Sequence, residues 1–330
     1  MKLSSHVGAL KDERRPVFLA AGFFDGVHRG HQHIIRHGVQ AARACRGHAW
    51  VMTFDPHPKK VITPQDAPNL LTATPHKLRL LEALGVDGCL VIPFTRLFAA
   101  TAADRFVRTL VRAAPQLRRI VIGRDWTFGR DGQGSPELLR ALGLQHGFEV
   151  EDIEPVLWRR RPISSTRIRR CVMEGQLDEA SDMLGRPFSI LGTVVPGQRL
   201  GREFGFPTAN LDPHNEVFPP NGVYLATAMI AHRWRPGLIN LGIRPTVPAL
   251  GTPTRILELH LLDGRPNLYG RSIEARFLGR IRPEQRFPSL SALQQQIAAD
   301  VNFARRYFAA SGRLSDARFA PSFKQPGAAK

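Results

Sequence analysis

Three short strings and one lone acid carry residue types whose spacing could move a phosphoryl group. The first runs Gly22-Phe23-Phe24-Asp25-Gly26-Val27-His28-Arg29-Gly30-His31. It follows the apolar run Val17 to Ala21 and precedes a helical pattern, so it reads as strand, glycine-rich turn and helix N-terminus. Free backbone N–H groups and the positive helix end favour an anion at such a place, and Gly30 lets backbone approach it. His28 and His31 can then face one phosphate. As hydrogen-bond donors they would stabilise charge gathering on a group in transfer, without a covalent bond. Either His could instead be a solvated or helix-capping residue; its position after the first strand favours the phosphate.

The second string is Trp158 to Arg170, with Arg159, Arg160, Arg161, Arg167, Arg169 and Arg170 around Ser164-Ser165-Thr166. Hydroxyls and orphan amides at a helix start, with Arg167 and Arg169 beside them, suit a polyphosphate. A nucleic-acid patch or a solvated face is the rival reading. The third is Leu200-Gly201-Arg202-Glu203-Phe204-Gly205-Phe206-Pro207-Thr208-Ala209-Asn210. Thr208 and Asn210 project to one side of an extended segment, and their oxygens suit a phosphate or Mg²⁺. Taken alone, Pro-Thr-Ala-Asn reads equally as a turn. Glu258 is the sole acid in the apolar run Ile256 to Leu262, on the face opposite Leu257 and Leu259. It reads as an outward-facing strand residue or as a base.

Two kinds of scaffold must hold these strings. From Val17 to Val150, strand-like runs (Val17 to Ala21, Ala49 to Phe54, Cys89 to Ile92, Ile120 to Ile122) alternate with helical patterns. The helices are expected at His31 to Cys45, Pro75 to Leu84, Ala102 to Ala113 and Ser135 to His146, the last with Ser135 as N-cap and Pro136 at the first position. Alternation of this kind predicts an α/β fold with a doubly wound parallel sheet, whose ligands bind beyond the carboxyl ends of the strands. Two further helices, Thr166 to Glu174 and Leu177 to Leu184, end at Gly185-Arg186-Pro187. Beyond it Ile190 to Val195, Val223 to Ile230, Leu238 to Leu241, Ile256 to Leu262 and Ile273 to Arg280 read as strands without intervening helices, an antiparallel barrel or sandwich closed by a helix from Leu290 to about Tyr307. The expected division is a leader over 1–15, a first domain over 16–185, a second over 186–310 and a flexible tail over 311–330.

The 330 residues are 43% hydrophobic, which excludes intrinsic disorder, and they carry 46 Lys plus Arg against 28 Asp plus Glu, a formal charge of +18. The excess is almost wholly Arg and divides nearly evenly between residues 1–185 and 186–330. It therefore looks as much like genome composition as like a nucleic-acid surface, and no nucleic-acid partner is expected. Cys45, Cys89 and Cys171 are too few and too scattered for a disulfide framework or metal-ligand pair. No stretch reaches the ~20 apolar residues of a spanning helix. The expectation is a cytoplasmic protein without membrane attachment, with a homo-oligomer among the open partner states.

Together these residues resemble the nucleotidylyltransferase superfamily, and more closely the bacterial bifunctional riboflavin kinase/FAD synthetase (FMN adenylyltransferase) family. The likeness extends to Thr53-Phe54-Asp55-Pro56-His57-Pro58, to Gly123-Arg124-Asp125-Trp126-Thr127-Phe128-Gly129 and to Ile163 through Arg169. In the second half it includes Pro220-Asn221-Gly222-Val223-Tyr224, Asn240 through Thr246, Glu258 through Asp263, Leu268-Tyr269-Gly270 and Ile281 through Phe287. The resemblance implies a nucleotidylyltransferase domain followed by a six-stranded riboflavin kinase-like barrel with a C-terminal helix. It implies Mg²⁺ with ATP as substrate, and riboflavin, FMN and FAD as substrates or products.

By that resemblance His28 and His31 steady the ATP α-phosphate in a turn containing Gly22, Phe24, Asp25, Gly26 and Gly30. Ser164, Ser165, Thr166 and Arg167 hold the departing phosphates, and Asp55, His57 and Asp125 adjoin the flavin substrate. Asp55 and His57 serve equally well to order a Pro-rich turn. In the barrel, Gly201, Arg202, Thr208 and Asn210 serve Mg-ATP, with Thr208 and Asn210 as metal ligands and Glu258 as base. Trp126 stands where the family more often has Phe. Arg124 adds a charge expected to pair with Asp125, and Gly264 replaces a common Phe near the flavin. The alternatives are a nucleotide-fold binder that has lost catalysis and an enzyme that transfers a nucleotidyl group to another acceptor.

Overall fold

The computed structural model describes residues 1–197, 205–244, 254–264 and 266–311. The chain divides into two compact units, one of Met1–Leu70 with Thr74–Ser165 and one of Leu71–Ala73 with Thr166–Lys330.

The first unit is a parallel sheet wrapped by helices. Its elements are β1 (Lys2–Ser4), β2 (Val17–Ala21), α1 (Arg29–Ala44), β3 (His48–Asp55), α2 (Pro58–Ile62), α3 (Thr74–Glu82), β4 (Gly88–Pro93), α4 (Arg96–Ala99), α5 (Ala103–Ala113), β5 (Leu117–Gly123), α6 (Pro136–His146) and β6 (Glu149–Ile153). The strands lie in the order β1-β4-β3-β2-β5-β6, every pair parallel. Parallel sheets are covered on both faces, so central strands read as apolar runs. β2 accordingly is buried at all five positions. One layer packs Leu19, Trp50, Met52, Leu90, Val107, Leu110 and Ile120 into a core; the other face packs Ala20, Val51 and Cys89 against Ile35 and Leu81. Strand order reverses beside β2, which puts the loop after β2 at the crevice of the sheet.

The predicted strands and helices of this unit appear within a few residues of their expected ends. Ser135 caps α6 by accepting from the Leu138 N–H at 3.3 Å, with Pro136 at the first position. Two edges differ. The expected leader over 1–15 does not stand apart: Lys2–Ser4 pair with Gly88–Leu90, and Leu10 is fully buried. Glu13 binds the Lys2 ammonium at 2.7 Å and His48 at 2.6 Å. β6 escaped notice because its sequence, Glu-Val-Glu-Asp-Ile, is acidic. An edge strand can carry charge where a central one cannot, and Arg119 meets Glu149 and Glu151 while Arg140 meets Asp152.

Next come a small hairpin, β7 (Leu157–Trp158) with β8 (Arg161–Pro162), and then α7 (Ser165–Met173) and α8 (Leu177–Leu184). All of α8, and α7 from Thr166 on, cluster with the second unit, ahead of the Gly185-Arg186-Pro187 break. That unit is a closed antiparallel barrel in the order β10-β13-β12-β11-β14-β9. Its strands are β9 (Ser189–Val195), β10 (Ala209–Pro213), β11 (Gly222–Ile230), β12 (Arg233–Arg244), β13 (Thr254–Leu261) and β14 (Ser272–Pro283). Pairing of β9 with β10 completes the closure. Five strands follow the predicted runs. The sixth, β10, is not marked by an apolar run because only Leu211 of its five residues is buried. Helix α9 (Leu290–Ser311) packs Val301 and Ala304 on Val223, Leu225 and Leu238. Residues 312–330, most of the expected tail, lie outside the described residues.

Candidate functional site

The turn between β2 and α1 is strained. Phe24 and Val27 adopt φ of 56° and 40°, and Gly26 lies between them at 82°. A β-branched residue at positive φ is a true outlier, costing of order 1–3 kcal/mol, and such residues gather at sites that constrain them. Phe24, Asp25 and His28 are all nearly buried. Gly22 leaves room for the Phe24 ring, which would lie 2.8 Å from a Cβ there. Gly30 is the second residue of α1, under the His28 ring.

His28 is the N-cap of α1. Its Nδ1 accepts the His31 backbone N–H at 3.3 Å, so its own proton is assigned to Nε2. The two imidazoles stack with centroids 3.5 Å apart and planes 20° from parallel. Burial first, then the neighbouring His28 ring and the Lys77 ammonium, holds the His31 imidazole well below the ordinary histidine range. Its Nδ1 is a buried polar atom with no hydrogen-bond partner among the described residues. Neutral imidazoles at a helix N-terminus have the chemistry to donate to an anion without giving up a proton to it. The capping reading of His28 is met by its Nδ1.

Ser165 ties the second string to this turn: its hydroxyl donates to the Asp25 carbonyl at 2.9 Å. Ser164 precedes it, and Thr166 and Arg167 continue α7 as the first residues of the second unit.

Beside the turn a cavity of about 410 Å³ is walled by aromatic rings, with Phe23, Phe54, Phe94, Phe98, Phe106, Trp126 and Phe128 on its lining. His57 and Asp125 line it too. Trp126 stacks on Phe128 at 4.9 Å and 15°, so the Trp keeps a flat wall. His57 orders the turn as expected, capping α2 by accepting the Lys59 N–H at 3.0 Å, and its ring meets that of Phe23 at 4.2 Å. Asp55 is exposed at the end of β3, and the cavity lining omits it. The expected Arg124–Asp125 pair does not form. Arg124 turns to Asp152, at 3.6 Å, and to Glu154, because the acidic strand β6 lies beside β5. An aromatic-walled cavity with a few polar groups on its lining fits a planar heteroaromatic ligand.

In the barrel, Thr208 and Asn210 line a second cavity, of about 330 Å³, with Val194, Leu259, Gly264 and Tyr269. Glu258 stands opposite Asn210 on β10 and opposite Asn240 on β12, so the three share one face across neighbouring strands. Asn240 donates to the Glu258 carboxylate at 3.4 Å. Leu257 and Leu259 are buried on the opposite face, as the alternation predicted, while Glu258 is half-buried and absent from the cavity lining. His260 Nδ1–H donates to the Pro207 carbonyl at 2.9 Å, fixing the approach to Thr208. Gly201 and Arg202 lie outside the described residues.

Sequence reasoning missed two residues that build these sites. Gly197 approaches so closely that a Cβ there would sit 1.9 Å from the Asn210 side-chain nitrogen. Lys77 is 1% exposed, and its ammonium donates to the Phe23 carbonyl at 2.9 Å and the Thr53 hydroxyl at 3.3 Å. The available signal for Lys77 was its place on α3, four residues before buried Leu81 and so on the apolar face.

Comparison with known proteins matches residues 10–167 to the FAD synthetase family model and residues 184–308 to the riboflavin kinase model. A bifunctional riboflavin kinase/FMN adenylyltransferase of Escherichia coli (strain K12) is 38% identical over 88% of this chain and 92% of its own length. The protein so described from Pseudomonas fluorescens is 36% identical over 94% and 99%. A crystal structure described as a macrolide-efflux protein from Streptococcus pneumoniae superposes with a TM-score of 0.78 at 30% identity, covering 92% of this chain and 98% of that one. Among the described residues no helix is long and apolar enough to cross a membrane.

Proposed function

This chain belongs to the bifunctional riboflavin kinase/FMN adenylyltransferase family, and from that premise we propose how its own residues divide the two reactions. The enzyme phosphorylates riboflavin to FMN and adenylylates FMN to FAD. The observation that carries the assignment of the second reaction to the first unit is the stacked His28–His31 pair at the start of α1.

In adenylyl transfer an FMN phosphate oxygen attacks the ATP α-phosphorus, the bond to the bridging oxygen breaks, and pyrophosphate leaves. Charge on the α-phosphoryl oxygens rises in the transition state, and donors already in place there lower the barrier without reorganising. His28 and His31 supply these donors at the positive end of α1. Ser164, Ser165, Thr166 and Arg167 receive the departing pyrophosphate. The aromatic cavity seats the flavin ring, with Asp125 and His57 on its lining and Asp55 just beyond it.

In the kinase reaction the riboflavin 5′-hydroxyl attacks the γ-phosphorus, ADP leaves, and Glu258 accepts the hydroxyl proton. Thr208 and Asn210, with Gly201 and Arg202 shortly before them in sequence, serve the nucleotide. The described residues hold no cluster of three or more His, Cys, Asp or Glu suited to a metal. Oxygen donors such as the Thr208 hydroxyl and Asn210 amide suit Mg²⁺, a hard cation that keeps waters and phosphate oxygens as its other ligands. Bound there it would offset charge on the transferring phosphates. The polyanion answering part of the +18 charge is then ATP, and the working compartment is the cytoplasm.

Incubation with riboflavin, ATP and Mg²⁺, followed by chromatography of the flavins, is expected to give FMN and then FAD. FMN without FAD would sink the assignment of the first unit. Gly197→Ala tests the barrel site: the new methyl must displace Asn210, and misplacement on the scale of an ångström costs roughly 10- to 100-fold. Riboflavin phosphorylation is expected to fall in that range while supplied FMN is adenylylated at the normal rate.

A further inference from the structure

We propose that Lys77 is a positioning residue for adenylyl transfer, its buried ammonium strapping the phosphate turn to the end of β3 and so fixing where His28 and His31 stand. The inference rests on the reading of that turn as the adenylyl site.

The strap is a closed triangle. Lys77 Nζ donates to the Phe23 carbonyl at 2.9 Å and to Thr53 Oγ1 at 3.3 Å, and Thr53 Oγ1 donates to the same carbonyl at 2.8 Å. Thr53 is fully buried and Lys77 nearly so. Phe23 opens the strained segment in which Phe24 and Val27 hold positive φ, and the Lys77 charge also lies 3.9 Å from the Phe23 ring centroid. β2 and β3 are neighbours in the sheet, so the strap joins the turn to a rigid strand. A buried cation is seldom spent on a solvent-facing purpose; here it also balances Asp25 and Asp55 beside a site for an anion.

The groups whose charges bear on Lys77 are Asp25 in the turn, Asp55 at the end of β3, Cys89 on β4 and His31 on α1. Burial lowers the Lys77 ammonium to about 8, opposed by the two carboxylates. Burial pushes the Cys89 thiol up to about 12, and His31 is held well below the ordinary range, so neither titrates near Lys77. Above pH about 8 the strap loses its charge and no longer offsets the carboxylates of Asp25 and Asp55.

The test uses the full chain and measures both reactions against pH, with kcat and KM separated. FAD formation is expected to show an alkaline fall in kcat near pH 8 that FMN formation from riboflavin lacks. Lys77→Arg keeps the cation and should move that fall upward by more than one pH unit. Lys77→Met should lower kcat for FAD formation about 100-fold, with KM for ATP and FMN nearly unchanged. A Met variant with normal kcat, a loss confined to KM, or an unmoved fall in the Arg variant overturns the proposal. Should the Met variant lose both reactions, the profile of the unmodified enzyme decides: an alkaline fall restricted to FAD formation supports the strap and its absence overturns it. His28→Ala is run alongside. If that variant still makes FAD, the reading of the site fails and takes the strap with it; if it is inactive while Lys77→Met is active, the strap alone fails.

Discussion

His28→Ala is expected to lower FAD formation by about 10³-fold and to leave FMN formation from riboflavin intact. Loss of one donor to a developing oxyanion typically removes 10²–10³ in rate. The upper figure applies here because the change does more than remove Nε2–H. It also unpairs the His31 backbone N–H and takes away the ring on which His31 stacks at 3.5 Å. His28→Asn separates these effects, since Asn is a strong N-cap and returns the helix contribution without the imidazole. Asn is expected to recover thermal stability and not FAD formation. Recovery of both would mean that His28 acts only as a cap.

Glu258→Gln is expected to produce the opposite selectivity. Gln keeps the size of the side chain and an oxygen for the Asn240 amide now 3.4 Å away, but it cannot take a proton. Riboflavin phosphorylation should fall by roughly 10²–10⁴, the usual contribution of a positioned base. Supplied FMN should still become FAD, because His28 and His31 belong to a different compact unit from Glu258. Glu258→Gln with normal FMN production would return Glu258 to the status that alternation alone assigns it, an outward-facing strand residue.

The parts of this architecture readable from sequence are those whose causes are local. Ser135 and Pro136 announce α6, and the uninterrupted apolar run of β2 announces a central parallel strand. The glycine-rich turn then follows from its place between that strand and α1. What escaped was set by neighbours distant along the chain. β1 and β6 are edge strands, identified by pairing rather than by hydrophobicity. The aromatic cavity collects Phe23, Phe54, Phe94, Phe98 and Phe106 from separate elements, each of which reads alone as ordinary core. Arg124 looked like the partner of Asp125 because they are adjacent, yet β6 brings Asp152 and Glu154 within reach. Lys77 carries a charge on the apolar face of α3, and only the folded neighbours Phe23 and Thr53 reveal its role.

That lysine also has a thermodynamic consequence. In the unfolded chain its amine keeps the ordinary value of 10.5, whereas in the native protein it falls to about 8. Between those values the unfolded state binds more protons, so this group adds to native stability as pH rises through the window. Below pH about 8 the native state carries the full cost of holding the ammonium out of water. The fold is therefore least favoured by Lys77 over the very range in which the strap is charged. Selection for stability alone would remove the charge, and its presence marks a position where the protein holds a less stable native state in exchange for an ordered phosphate turn.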